Sequence, residues 1–414
     1  MLIEKYSFGT GDRFGKEGHA QLKAIMEMNL NGVPVVPVWN KSNREHSIIG
    51  TLPIDVKNEA IRAVNETGYS GMYYVDADHI NMETVDKFIS SSNFFTIDVA
   101  GFIGKKSSPD ALADFKNRYD KYIGNITIPG IARPFYVTGD FLEKLASDYL
   151  SALEEVKKIY DKISQLKGEE NFIAEVSVDE AELVQGPLEI FFILAELNYM
   201  GVRVQTIAPK FSGLFAKGID YMGNTATFAT EFEQDVAVIR FAIEELGLST
   251  GLKLSVHSGS DKFSIYPFIK NAIRKFDAGI HIKTAGTTWL EEVIGLAQSG
   301  REGLEIAREI YAKSMERYEE LTAPYSTVLH IDQSKLPPVL EVNKWDNVRF
   351  SEALNHEIRC ANYNPDFRQL IHVGYKVAAE MGNRYLSALD NNREIVAERV
   401  KNNLLEKHLK PLFL

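Results

Sequence analysis

The stretch Leu252-Lys253-Leu254-Ser255-Val256-His257 alternates apolar and polar side chains with a period of two. Successive side chains of a β-strand point to opposite faces, so Leu252, Leu254 and Val256 share one face, and Lys253, Ser255 and His257 the other. The apolar face suits packing against helices. The polar face places an amine, a hydroxyl and an imidazole together on the inner side of a sheet. Helix-period sequence follows over 261–276, which makes the whole a βα unit of a parallel sheet.

Seven further runs rich in β-branched and aromatic residues read the same way: 6–11, 33–39, 71–76, 94–100, 172–177, 202–207 and 279–284. Helical periodicity fills the gaps at 54–67, 82–91, 180–199, 225–246 and 261–276, the last with Asp261 placed to cap it. Eight strands alternating with helices is the count of a closed (β/α)8 TIM-type barrel, although an open doubly wound sheet gives a similar alternation. No glycine fingerprint of the dinucleotide-binding kind opens a helix after a strand, which favours the barrel. The expected organisation is a barrel over 1–323 with a helical insertion at about 105–170, and a C-terminal helical extension over 324–414 packed on it. The insertion carries a long helical pattern at 139–166, and 324–342 reads as the linker.

The alternation seen in 252–257 recurs. In 279–284 it turns His281 and Lys283 inward. In 94–100 it turns Thr96 and Asp98 inward, in 172–177 Ile173, Glu175 and Ser177, and in 202–207 Arg203 and Gln205. A barrel interior is normally filled by bulky apolar side chains, with chemistry at the C-terminal strand ends. So many ionisable groups inside are costly unless they pair, bind a metal or face a wet pocket. The competing reading is a buried salt-bridge network.

Composition narrows the partners. The 414 residues are 45% hydrophobic, enough for a large core, and 46 basic against 57 acidic residues give a net charge of −11. That balance opposes nucleic acid and anionic lipid and favours a small-molecule partner. Residues 1–15 do not read as a signal peptide, and no apolar run approaches the ~20 residues of a membrane helix, so a cytoplasmic protein is expected. A single cysteine, Cys360, excludes a disulfide framework and a cysteine metal site, and is expected to be a buried structural thiol.

Of nine histidines, His79, His257 and His281 fall on or just past strands. Imidazoles with a carboxylate and open positions make a Lewis-acid site for zinc, nickel, manganese or iron. Each of these histidines also has a plain reading as a hydrogen-bonded core residue. The strand end Val75-Asp76-Ala77-Asp78-His79 is the densest in polar groups, but Asp78 and His79 have opposite parity. Both reach one pocket only if the strand has already bent. Glu175, isolated between apolar neighbours, is the leading acid or base candidate, because desolvation raises a carboxyl pKa. Pairing with Arg203 or Lys283 is its alternative. The loop Thr206–Gly218 offers Lys210 for a substrate carboxylate, and Ser258 and Asp261 lie in a hydroxyl-rich loop suited to a sugar.

The motifs GDRFG (11–15), YYVDADHI (73–80), VQTIAPKFSGLFAKGIDY (204–221), LSVHSGSDKFSIYP (254–267) and HIKTAGTTW (281–289) together resemble the tagaturonate epimerase family. The resemblance implies metal-dependent interconversion of D-tagaturonate and D-fructuronate in hexuronate catabolism. The inverted carbon is β to the ketone, so its hydrogen is not acidified and simple enolisation does not invert it. A retro-aldol cleavage, rotation and recombination does. The resulting assignment places a divalent metal on His79, His257 and His281, Asp78 and Glu175 as base and acid, and Lys283 on the developing charge. Arg13, Gln205, Lys210, Ser258 and Asp261 form the substrate-binding set. The alternatives are a metal-dependent aldolase or ketose isomerase acting on a sugar acid, and a non-catalytic sugar-acid binding protein. The oligomeric state is left open.

Overall fold

Eight parallel strands close into a barrel in the computed structural model, which describes residues 2–284 and 286–414. They are β1 (Tyr6–Gly11), β2 (Val35–Ser42), β3 (Tyr74–Ile80), β4 (Phe94–Asp98), β5 (Ile173–Ser177), β6 (Thr206–Ala208), β7 (Lys253–His257) and β8 (Ile280–Lys283). Each pairs with its sequence neighbours, and β8 returns to β1 with His281 opposite Ser7. This is a TIM-type barrel ringed by helices. Phe95, Ile97, Ala174, Val176, Leu254, Val256, Ile280 and Ile282 face outward into the main apolar core, as the alternation requires. No helix among the described residues is long and apolar enough to cross a membrane.

Two strands correct the sequence reading. β6 begins only at Thr206, whose hydroxyl reaches inward to Glu175 Oε2 at 2.7 Å. Arg203 instead lies exposed, ion-paired with Glu170 at 2.7 Å, and Gln205 Oε1 accepts from the Ala174 amide at 2.7 Å. β3 runs four residues further than expected and contains a register shift between Ala77 and Ile80.

The connections differ from periodicity alone where local caps intervene. A helix expected over 82–91 is only the 3-10 turn Val85–Lys87, because Asn81 Oδ1 accepts from the amides of Glu83 and Thr84. The helix expected from Glu180 begins at Pro187, a residue suited to the first helical position, leaving 178–186 as a loop at the barrel mouth. Gly139–Lys167 buries Leu142, Leu145, Leu153, Val156, Ile159 and Ile163 in the same core as β4 and β5, so it occupies the ring position between those strands. Just before it, Gly124–Ile126 and Phe135–Val137 form an antiparallel pair.

After β8 the helices Thr287–Gln298 and Arg301–Glu316 join Asn347–Leu354, Pro365–Val373 and Arg393–Asn402 around a second apolar core that includes Trp289, Ile294, Ile310, Phe350 and Ile371. Residues 324–342 carry short helical turns, and Val342 is buried. Leu404, Leu409, Leu412 and Phe413 return to the barrel core. Cys360 is half-buried.

Asp261 is not a helix cap. The helix following β7 is Tyr266–Lys275, preceded by the turn Phe263–Ile265. The Asp261 carboxylate turns inside, where it meets Arg368 Nη2 at 2.7 Å, His356 Nδ1 at 2.9 Å, His408 Nε2 at 3.2 Å and the Thr287 hydroxyl at 3.0 Å. Burial opposes its charge, but Arg368 and His356 hold it well below the usual carboxylate range. It joins the barrel to the C-terminal helices.

Candidate active site

The barrel floor is largely apolar: Ile3, Val36, Val38, Tyr74, Phe94 and Ile173 cluster there, and an amine at that level, Lys253, donates to the Glu4 and Lys5 carbonyls and to Ser7 Oγ. The ion-paired layer lies above. Lys283 Nζ lies 2.7 Å from Asp76 Oδ2, 2.9 Å from Glu175 Oε1 and 3.0 Å from Asp78 Oδ1, and it also donates to Thr96 Oγ1. The Thr96 oxygen is 3.0 Å from both Asp76 oxygens and from Glu175 Oε1. Burial disfavours the ammonium, but the three carboxylates outweigh it and raise Lys283 well above its ordinary value.

The three carboxylates do not titrate alike. Burial lifts Asp76 to about 7, against the pull of Lys283. Burial also acts on Glu175, yet Lys283 and His257 overcome it and hold Glu175 well below the carboxylate range. Desolvation therefore does not make Glu175 a high-pKa acid. The expected alternative, pairing with Lys283, is what forms, while Arg203 is absent from the contact.

Above this layer the bend in β3 brings adjacent residues to one pocket. His79 adopts φ 51, in the left-handed region that a non-glycine residue rarely enters, at the register shift of the strand. That turn lets Asp78 and His79 face the same space, and Asp78 Oδ1 accepts from His79 Nδ1 at 2.9 Å. Across the barrel, His257 Nε2 meets Glu175 Oε1 at 2.8 Å. Each imidazole thus gives one nitrogen to a buried carboxylate and turns the other towards Asp179. His257 Nδ1 is 3.1 Å from Asp179 Oδ2, and His79 Nε2 is 3.6 Å from Asp179 Oδ1.

One donor atom from each of His79, Asp179 and His257 lies within 4.8 Å of the others. His257 Nδ1 is buried without a hydrogen bond of acceptable geometry. Two imidazoles oriented by carboxylates, plus a third carboxylate, are a donor set that could hold a metal ion, with outer support of the kind such ligands take. Burial opposes protonation of both histidines, but the surrounding carboxylates outweigh it, Asp179 and Glu175 lifting His257 to about 9 and Asp78 and Asp179 lifting His79 well above its ordinary value. A divalent cation bound there would displace those protons.

A sequence profile of the tagaturonate epimerase family matches residues 1–412. A tagaturonate/fructuronate epimerase of Thermotoga maritima is 31% identical over 413 residues, covering 96% of this chain and 79% of that protein. The chain belongs to the tagaturonate epimerase family. It is accordingly a carbohydrate epimerase, of the isomerase class. Crystal structures of a fructuronate-tagaturonate epimerase from Cohnella laeviribosi, 24% identical, superpose with TM-scores of 0.82 in a glycerol complex and 0.81 in the native form. They cover the whole of this chain and 82% of theirs, and they confirm the fold.

Within this epimerase-family barrel the expected site residues separate. His79, His257, Asp78, Glu175 and Lys283 converge. His281 does not: it sits a layer lower, where Nδ1 meets Ser7 Oγ at 2.9 Å. Burial pushes its imidazole down to about 3, so it is neutral. Lys210 donates to the Ala181 carbonyl, and Ser258 Oγ to the Lys283 carbonyl at 2.6 Å. These two, with Gln205 and Asp261, are held by the protein itself. Arg13 is buried, its guanidinium 4.3 Å from the Tyr375 ring centroid.

Asp179 is the residue that sequence reasoning missed. It is the second residue past β5, and the Ser177 hydroxyl donates to it. A signal exists, since the first carboxylate beyond a barrel strand is a candidate by position, but helical periodicity over 180–199 draws the region into a helix. Asp98, at the end of β4, faces the same space. Burial raises its carboxyl, and its Oδ1 accepts from the Ala100 amide at 3.0 Å.

Proposed function

We propose that this member of the family interconverts D-tagaturonate and D-fructuronate, using a divalent cation held by His79, His257 and Asp179. The observation that carries the reading is the pair of histidines, each turned by a buried carboxylate towards Asp179. Two imidazoles and a carboxylate suit zinc, nickel, manganese or iron. Bound there, such an ion supplies Lewis-acid polarisation of the substrate's ketone.

The chain's own residues supply the rest. Asp78 and Glu175, expected as base and acid, already accept from His79, His257 and Lys283. They hold the histidines in position. Asp98 retains a carboxylate oxygen without a donor among the described residues, and it takes the proton from the hydroxyl on the inverting carbon. As that O–H breaks, the new carbonyl forms, the adjacent C–C bond breaks, and its electron pair passes to the ketone half as an enolate. The aldehyde rotates, the C–C bond re-forms on its other face, and Asp98 returns the proton. Lys283, locked among three carboxylates, keeps Asp78 and Glu175 ionised.

Incubation with D-tagaturonate in heavy water, followed by NMR, tests this reading. The expected product is D-fructuronate without deuterium on the inverted carbon, and its formation stops with chelator. Deuterium at that carbon contradicts the aldol route, and accumulation of a free aldehyde identifies an aldolase instead.

A further inference from the structure

Beside the proposed metal donors, the buried Arg13 and His372 and the half-buried Lys217 gather with a single carboxylate, that of Glu45, in ion-pair reach. Arg13 is 6% exposed, and its Nε and Nη1 make no hydrogen bond among the described residues. Its nearest acid is Glu45, whose Oε1 lies 3.2 Å from Nε while Oε2 accepts from the Ser42 amide, so this ion pair leaves Nη1 unengaged. The Lys217 ammonium, on the loop after β6, has no hydrogen bond or ion pair among the described residues. It lies 5.7 Å from the Tyr325 ring centroid, and the Tyr325 hydroxyl meets that of Tyr375 at 2.7 Å. His372 is 1% exposed, and neither ring nitrogen has a hydrogen-bond partner among the described residues. Burial, with Arg13 and Lys217 adding to it, keeps this imidazole neutral.

Two glycines place these groups around one space. A Cβ at Gly259 would lie 3.9 Å from Lys217 Nζ, and one at Gly286 would overlap His372 Nε2. Gly259 has φ +67 and follows His257 by two residues, so the cationic groups adjoin a metal donor through the turn at the end of β7. Lys262 and Arg368 also face His372, but Lys262 Nζ donates to the carbonyls of Ala216 and Ile219, and Arg368 is paired with Asp261. That leaves Arg13, Lys217 and His372 with donor capacity.

We propose that Arg13, Lys217 and His372 form an anion subsite that takes the carboxylate of an open-chain sugar acid and points its carbonyl carbons at His257. The proposal rests on the epimerase reading for the orientation of the substrate, and it replaces Lys210 as the carboxylate anchor. A guanidinium and an ammonium converging on one anion give charge-assisted hydrogen bonds, and these specify a sugar acid over the neutral sugar.

Calorimetric titration of the purified full-length chain with D-gluconate and with the neutral polyol D-sorbitol tests the subsite. Charge-assisted bonds of ordinary strength give the carboxylate a preference on the order of 10- to 100-fold. In Lys217→Met and Arg13→Met that preference is expected to fall to roughly threefold or less, with Lys217→Arg restoring most of it. Melting curves establish that each variant is folded, and His372→Phe reads the same ratio if Lys217→Met does not fold. Equal preference in wild type and the folded variants overturns the subsite. Wild type that prefers gluconate but leaves D-tagaturonate unchanged contradicts the epimerase reading while the subsite stands. Turnover of D-tagaturonate by a chain with no such preference contradicts the subsite alone.

Discussion

Glu175 and Glu17 are both buried carboxylates, and their neighbours drive them in opposite directions. Glu175 touches Lys283, His257, Thr96 and Thr206, which together overcome its desolvation and keep it ionised. Its parity was legible in the sequence; its charge was not, because that depends on donors from β4, β6, β7 and β8 meeting in space. Removing the charge should loosen His257, so Glu175→Gln is expected to weaken metal binding by roughly 10- to 100-fold, measured by competition with a chelating dye. Glu17 has no such donors among the described residues: its two carboxyl oxygens are buried without a hydrogen bond from them, and burial, helped by Asp12, lifts it to about 8. The folded chain therefore binds a proton that the unfolded chain has released. Its contribution to stability is full below about pH 4.5, the ordinary value, and is lost as pH rises towards 8. Melting temperatures measured from pH 5 to 9 should fall less steeply in Glu17→Gln than in wild type.

At the scale of elements, the strands were readable and the bends were not. Period-two alternation identified eight strands and gave the inward set for β4, β5, β7 and β8, since one face must pack on helices. It failed at β6, where the chain leaves the preceding helix at Gly201 and enters the sheet only at Thr206. It also left Asp78 and His79 on opposite faces. Only the left-handed residue at the β3 bulge reconciles them, and no sequence period reports a bulge. Asp179 was hidden for a related reason: the Gly186-Pro187 start signal places 178–186 in a loop, while apolar periodicity extended the helix over it. The turn after β7 holds the C-terminal helices through Asp261, whose role depends on Arg368 and His356, about a hundred residues away in sequence. Breaking this wholly buried pair leaves Arg368 uncompensated, so Asp261→Asn is expected to cost roughly 3–5 kcal/mol in denaturant unfolding.

Over the whole molecule, the largely apolar floor closes one end of the barrel and the charged layers rise towards the other, so that the reactive groups meet at the C-terminal ends of β3, β4, β5 and β7. The second apolar core stands beside that mouth and contributes His372 and Tyr375 to the cationic space near His257. The sequence names two of the three proposed donors and offers His281 in place of Asp179, because histidine and strand position are visible there while depth along the barrel is not. Elemental analysis by mass spectrometry of the purified chain, beside its epimerase activity, tests the proposed metal centre most directly. Wild type should hold about one equivalent of divalent metal, as an open three-donor site does. His79→Ala and Asp179→Asn should lose both metal and activity, whereas His281→Ala should keep its metal. Full metal content in folded His79→Ala and Asp179→Asn, or epimerisation by metal-free wild type, would contradict it.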